Sequence, residues 1–104
     1  MARQFDVCRV KGLRAESPVD LAVVLQDDAL SHLTTRVVAP LVPASAELAV
    51  DRAMPQVEIA GTRYVVAVHL LMTVPDRNLE TLVATLKEHE RTLKNAIDMV
   101  FFGV

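Results

Sequence analysis

The chain has 104 residues, of which 52% are hydrophobic and 23% charged, so one compact core can form without metals or disulfides. Its formal net charge of −2 disfavours a nucleic-acid binder, which normally carries a basic face. The single cysteine, Cys8, excludes an intrachain disulfide and is typical of a reducing compartment. The first ten residues lack a signal-peptide pattern and no apolar run is long enough to span a membrane, so we expect one cytoplasmic domain over residues 1–104.

The first two thirds of the chain predict β-sheet. Alternating or continuous apolar runs predict strands at residues 4–10, 21–25, 34–42, 57–59 and 64–68. Pro40 and Pro43 are expected to stop the ladder of the third strand. Residues 60–63 predict a hairpin turn in which Gly61 supplies a positive φ. The Ala-rich residues 45–53 are compatible with a helical turn inside a long connection.

The last third changes to a helical period. Apolar residues with this spacing form one stripe: Leu79, Leu82, Val83, Leu86, Leu93, Ile97 and Val100. Asp76 or Asn78 is predicted to cap the start of this helix, and Gly103 to end it. Several short strands followed by one long terminal helix predict an α+β fold, an antiparallel sheet or small barrel with a helix on it.

Side chains for catalysis or metal binding are scarce. The three histidines, His32, His69 and His89, show no metal-ligand spacing. Asp27 and Asp28 follow a strand, where an acidic pair usually serves a turn. We therefore predict no metal, no cofactor and no catalytic residue.

Two adjacent aromatic residues close the helix. The chain has no Trp, one Tyr and three Phe, and two of those Phe are Phe101 and Phe102. Neighbouring helical residues point about 100° apart, so both rings cannot easily face one core. One interpretation is that the rings merely close the core. The other is that at least one ring is exposed or covered by a partner, as a binding anchor.

The ending of the chain resembles that of the CcdB family. Residues 94–104 read Lys-Asn-Ala-Ile-Asp-Met-Val-Phe-Phe-Gly-Val, against the family's Lys-Asn-Ala-Ile-Asn-Leu-Met-Phe-Trp-Gly-Ile. Other blocks match in the same order: Gln4-Phe5, Val24-Leu25-Gln26-Asp27-Asp28, Val38-Ala39-Pro40-Leu41 and Met54-Pro55-Gln56-Val57-Glu58-Ile59. The last two are similar to the family's Val-Ile-Pro-Leu and Tyr-Pro-Val-Val-His-Ile. The resemblance covers nearly the whole chain, with an insertion around residues 12–18.

The resemblance implies a fold and a function. The fold is a mostly β, SH3-like antiparallel barrel with a small extra sheet and a C-terminal helix, paired into a homodimer. The function is that of a toxin without enzymatic activity, which binds the A subunit of DNA gyrase and traps gyrase on cleaved DNA. A CcdA-like antitoxin neutralises it. Neither direct nucleic-acid binding nor a membrane is implied.

The family's contact residues carry over onto matching positions. The implied gyrase contacts are Phe102, Gly103, Val104, Phe101, Asp98, Leu30 and Ala29. Phe102 stands where Trp is usual, and a Phe ring stacks less well on a cation. Asp98 replaces Asn, which adds a negative charge. We also expect Met99 and Val100 in the dimer interface, and Lys87, Arg91 and Lys94 in antitoxin binding.

Two alternatives remain open. A MazF/Kid-type endoribonuclease toxin has the same barrel and needs a general base, a general acid and cationic phosphate stabilisers in one cleft. Its candidate residues here would be Arg63, His69, Asp76 and Arg77. The other alternative is a non-toxic homologue that still binds an antitoxin.

Overall fold

The fold is a curled antiparallel sheet with one C-terminal helix. The structure, a computed structural model, describes residues 2–11, 13, 21–45 and 51–104. Strands and helix in this part of the chain are β1 (Asp6–Val10), β2 (Leu21–Val24), β3 (Thr35–Pro43), β4 (Gln56–Ile59), β5 (Thr62–Val66), β6 (Met72–Pro75), β7 (Leu79–Thr85) and α1 (Glu90–Phe102). Strand order is β4-β5-β3-β2-β1-β7, and β6 also pairs with β3. The mostly β, barrel-like α+β fold is thus confirmed.

Strand β3 organises the sheet because it pairs with three other strands. One edge pairs with β2, while the other pairs first with β6 and then with β5. The prediction that Pro40 stops this ladder was wrong, since β3 runs on to Pro43. Pro40 has no N–H, but it lies where the partner changes from β6 to β5, and its carbonyl accepts a hydrogen bond from the Ala67 N–H at 2.9 Å.

The predicted hairpin between β4 and β5 is confirmed. Ile59 pairs with Thr62, and Ala60 and Gly61 between them have φ of 51° and 82°. Two consecutive positive φ values are typical of a type I′ turn, whose twist matches that of the flanking strands. The turn aligns Val57 and Ile59 with the core, where both are buried.

The long helix predicted from Leu79 onwards was wrong in its first half. Residues 79–85 form β7, antiparallel to β1, and Asp76–Asn78 form a 3₁₀ turn rather than a helix cap. Two members of the predicted stripe, Leu82 and Val83, are 59% and 39% exposed. The apolar spacing of this short segment fits a helix, but pairing with β1 satisfies the backbone and decides the conformation.

Helix α1 is the second half of the predicted helix. Leu93 and Ala96 are fully buried in the main core, and Ile97 and Val100 pack against it. Gly103 ends the helix as predicted: its φ is 71°, and its N–H donates to the Met99 carbonyl at 3.1 Å. The main core lies between this helix and the sheet. On the other face of the sheet, Val10, Ala22 and Val38 belong to a second apolar cluster.

Two further predictions concern a short helical turn and a membrane-spanning segment. The helical turn predicted within residues 45–53 lies largely outside the described residues, which omit 46–50. Within the part of the chain that is described, no helix is long and apolar enough to cross a membrane.

Candidate partner-binding surface

The end of α1 exposes its aromatic residues. Phe101 is 59% exposed, Phe102 75% and Val104 70%, whereas Leu93 on the inner face of the same helix is fully buried. The rings therefore do not close the core of this chain. Gly103 turns the backbone at this point, so the last residues leave the helix axis.

A 3₁₀ turn at Asp28–Leu30 exposes a second apolar site. The Asp27 carboxylate caps this turn by accepting the Ala29 N–H at 2.8 Å. Leu30 and Leu33 are 46% and 42% exposed, and Ala29 is exposed as well. Apolar side chains on a capped turn can contact a partner without prior refolding.

Asp28 ties this turn to the start of the chain. Its carboxylate accepts the Gln4 backbone N–H at 2.8 Å and the Arg3 guanidinium Nε–H at 3.3 Å. The hydrogen bond from Gln4, reinforced by Arg3, lowers the pKa of Asp28 below its ordinary value. The charged form of the Asp28 carboxylate is thus favoured. Its hydrogen bonds to Arg3 and Gln4 fix the turn to the start of the chain.

A groove of about 330 Å³ joins the turn to the helix. Leu30 and Phe101 both line it, so the structure brings two predicted contact residues from distant parts of the chain together. Four more apolar residues line the same groove: Leu25, Val37, Leu71 and Ile97. These four could not be assigned to the site from the sequence, because nothing in their local pattern separates a groove residue from a core residue. Asp98, also predicted, is exposed on α1.

The predicted antitoxin-binding residues are exposed, one just before the helix and two on it. Lys87 belongs to a 3₁₀ turn at Lys87–His89 that precedes α1, while Arg91 and Lys94 are on α1 itself, and all three are exposed. Lys94 Nζ lies 3.7 Å from a carboxylate oxygen of Glu90, one turn earlier. This is a weak surface ion pair, which leaves the ammonium group accessible.

The residues predicted for the dimer interface differ in their surroundings. Val100 is half-buried and packs against the main core. Met99 is half-buried, and its carbonyl accepts the Gly103 N–H. Both keep apolar surface next to Phe101 and Phe102.

The candidate residues for RNA cleavage are divided between pockets. Arg63 lines a pocket with Glu58 and His89. Asp76 and Arg77 line a different pocket. His69 lies exposed on the 3₁₀ turn at Val68–Leu70. A general acid–base pair and its phosphate stabilisers must share one cleft, and the structure does not bring Arg63 into one pocket with Asp76 and Arg77.

Cys8 is a buried residue of β1 that lines the same pocket as Asp76 and Arg77. It is 2% exposed, and burial raises the pKa of its thiol, with a further contribution from the Asp6 charge. Among residues 2–11, 13, 21–45 and 51–104, no group of three or more His, Cys, Asp or Glu side chains is placed to hold a metal ion.

Solved structures with a similar fold include two toxins and an endoribonuclease. Mycobacterium tuberculosis toxin MazF-mt6 matches with a TM-score of 0.73 and 20% identity, over 92% of this chain and 95% of that one. An endoribonuclease from a mycobacterial species, in complex with its cognate antitoxin, matches with a TM-score of 0.75 and 12% identity, over 96% and 94%. An Mtb toxin matches with a TM-score of 0.71 and 20% identity, over 91% and 99%. At these identities the likeness establishes the fold.

The family assignment comes from the sequence. No curated protein sequence matches the chain. The sequence profile of the family described as CcdB protein, however, matches residues 4–103 and so spans the sheet, the 28–30 turn and the terminal helix. This confirms the resemblance noted at the C-terminus. The chain belongs to the CcdB family and is thereby a toxin of a toxin–antitoxin system.

Proposed function

We propose that this toxin acts by binding the A subunit of DNA gyrase and trapping gyrase on cleaved DNA, without an enzymatic step of its own. The observation that carries the proposal is the exposure of Phe101, Phe102 and Val104 beyond the last core contact of α1. Two of the four aromatic residues of the chain are thus largely exposed at the end of the helix. The choice of gyrase A as the partner is part of the proposal, and membership of the CcdB family supports it.

The groove extends the proposed contact from the chain end to the 28–30 turn. Leu30 and Phe101 share it, so a partner residue placed there would touch both sequence blocks at once. Fully burying an aliphatic or aromatic side chain contributes about 1.5–3 kcal/mol, and a cation over the Phe102 ring about 0.5–2 kcal/mol. A few such anchors are enough for tight, specific binding.

A homodimer would double this surface. Met99 and Val100 lie beside the exposed rings, so pairing of two chains through this region would bring the two Phe102 rings near one two-fold axis. An arginine of gyrase could then stack on both rings. This arrangement belongs to the proposal, and its first test is the oligomeric state in solution.

The antitoxin is proposed to bind elsewhere. Lys87 precedes α1, whereas Arg91 and Lys94 lie on it; all three side chains are exposed and positively charged, and none is at the C-terminal end of the helix. Antitoxins of this kind are disordered segments that fold on their toxin, and acidic residues in such a segment would complement these charges. The mycobacterial endoribonuclease that shares the fold is itself described with its cognate antitoxin.

Expression and a cleavage assay test the proposal together. The gene is expressed from an inducible promoter in cells carrying wild-type gyrase A or a resistant gyrase A, and survival is scored. Purified protein is then incubated with gyrase and supercoiled DNA, and in parallel with cellular RNA. We expect killing only with wild-type gyrase, linear DNA after protein denaturation, and intact RNA. Cut RNA with no DNA cleavage would favour the MazF-type alternative, and neither activity would favour a non-toxic homologue.

A further inference from the structure

The Gln26 side chain bridges the two ends of the loop between β2 and β3, which carries Leu30. Its side-chain Nε2–H group donates to the Leu30 carbonyl at 3.3 Å and to the Thr35 carbonyl at 3.1 Å. Its Oε1 accepts the Val37 backbone N–H at 3.3 Å. One amide group therefore links the 3₁₀ turn to the first residues of β3.

The position of Gln26 explains why a side chain is needed there. The β2–β3 register ends at Val24 and Val38, and the last backbone bond runs from the Leu25 N–H to the Val37 carbonyl at 2.9 Å. Beyond that point the two segments separate to form the loop. The Gln26 amide oxygen takes the place of the next backbone acceptor and satisfies the Val37 N–H, which would otherwise lack a ladder partner.

The Arg36 side chain also forms hydrogen bonds to the backbone of this loop. Its guanidinium is buried, with the residue 2% exposed, and donates to the carbonyls of Ser31 at 2.9 Å, Leu33 at 2.6 Å and Thr35 at 2.9 Å. Side-chain donors of Gln26 and Arg36 thus bind the backbone carbonyls of the loop. These carbonyls are those of Leu30, Ser31, Leu33 and Thr35. The Leu30 and Leu33 side chains stay partly exposed while the backbone that carries them is fixed.

We propose that Gln26 is a positioning residue for the partner contact, and that it fixes Leu30 against the Phe101 side of the groove before the partner arrives. The inference rests on the proposed function for the identity of the partner. Both Gln26 and Leu30 line the groove, so a shift of the loop changes the groove itself. A preformed loop lowers the entropy cost of binding, which raises affinity without a new contact.

Two substitutions separate the donors of Gln26 from its acceptor. Gln26→Met removes both, with a neutral side chain of similar length. Gln26→Glu keeps an acceptor for Val37 and removes both donors, so the carboxylate repels the Leu30 and Thr35 carbonyls. Gln56→Met and Gln56→Glu, at an exposed position on β4, are the matched controls.

Amide hydrogen exchange of the free protein is the first readout. In Gln26→Met we expect the Val37 amide to exchange about fivefold faster or more, the effect of losing one neutral hydrogen bond. The Leu33 amide, which donates to the Leu30 carbonyl at 3.0 Å, should speed up in both Gln26 variants. In Gln26→Glu the Val37 amide should keep its wild-type rate. Unchanged exchange at Val37 and Leu33 in Gln26→Met would overturn the proposal.

Affinity for purified gyrase A is the second readout. Both Gln26 variants should bind about fivefold more weakly or worse, while both Gln56 variants bind like the wild type. Weaker binding with unchanged loop exchange would mean that Gln26 only touches the partner, which contradicts a positioning role. If the wild-type protein does not bind gyrase A, the proposed function fails, and the exchange rates still decide whether Gln26 positions the loop.

Discussion

Leu30 and Phe101 line one groove although they are 71 residues apart in the sequence. Leu30 belongs to a turn that follows β2, and Phe101 to the last turn of α1. The sheet brings them together because β2 and β3 form its centre and α1 packs across that centre. A groove made of two chain segments is therefore fixed by the fold itself, and the proposed contact uses it.

The first prediction concerns the turn side of this groove. Leu30→Ala should weaken binding to gyrase A by about 1–2 kcal/mol, which is roughly five- to thirtyfold, since an apolar anchor is lost. Leu82→Ala is the matched control, because Leu82 is similarly exposed on β7 but does not line the groove. Thermal melts should hardly differ between the two variants. Equal affinities for gyrase A would place Leu30 outside the contact.

A second prediction separates the antitoxin surface from the gyrase surface. Lys87→Glu, Arg91→Glu and Lys94→Glu should each weaken capture by the antitoxin, by about 1 kcal/mol or less because exposed charges are screened. Gyrase binding should change less. Arg9→Glu, an exposed charge reversal on β1, controls for net charge. Titration calorimetry against both partners measures the difference, and equal losses would show that the two surfaces overlap.

A third prediction follows from the lowered pKa of Asp28. An aspartate whose pKa is lower in the folded protein stabilises the fold above its unfolded pKa of about 3.9, and this contribution is lost as the pH falls through the lowered folded value. Asp28→Asn should thus destabilise the protein at pH 6. The difference from the wild type should shrink as the pH falls below about 4. Urea unfolding at both pH values tests this, with Asp98→Asn as the control for charge.

Cys8 gives a fourth prediction. Its thiol is buried and its pKa raised, so the reactive thiolate is scarce in the folded protein near neutral pH. Ellman's reagent should react slowly with the native protein and quickly in urea. Fast reaction of the native protein would show that β1 opens readily.

The sequence predicted the elements whose signals are local. The hairpin around Gly61 and the helix end at Gly103 both depend on a residue that tolerates positive φ. Strands β6 and β7 were missed, because their conformation depends on pairing with β3 and β1. In β7 the exposed Leu82 and Val83 have the spacing of a helical stripe. Only the pairing with β1 decides between helix and strand for this segment.

The candidate site likewise contains residues that the sequence identifies and residues that only the folded structure identifies. The chain-end motif marked Phe101 and Phe102 in the sequence, and exposure of both rings agrees with that interpretation. Leu71 and Val37 could not be found in this way, since they reach the groove only through packing. Gln26 was seen only as part of a matching block, because its hydrogen bonds connect residues that come close only after β3 pairs with β2.

Removal of residues 102–104 tests the central claim most directly. The core contacts of α1 end at Val100, so the truncated protein should stay folded, apart from about 1 kcal/mol for the lost Gly103 helix cap. Loss of the Phe102 ring should weaken binding to gyrase A by about 2 kcal/mol or more. The substitution Phe102→Trp should instead strengthen this binding, because indole interacts better with a cation. The measurement is the yield of linear DNA when each protein is mixed with gyrase and supercoiled DNA. We predict no trapped cleavage with the truncated protein and more with Phe102→Trp. A folded, truncated protein that traps gyrase on cleaved DNA as well as the full chain does would contradict the account.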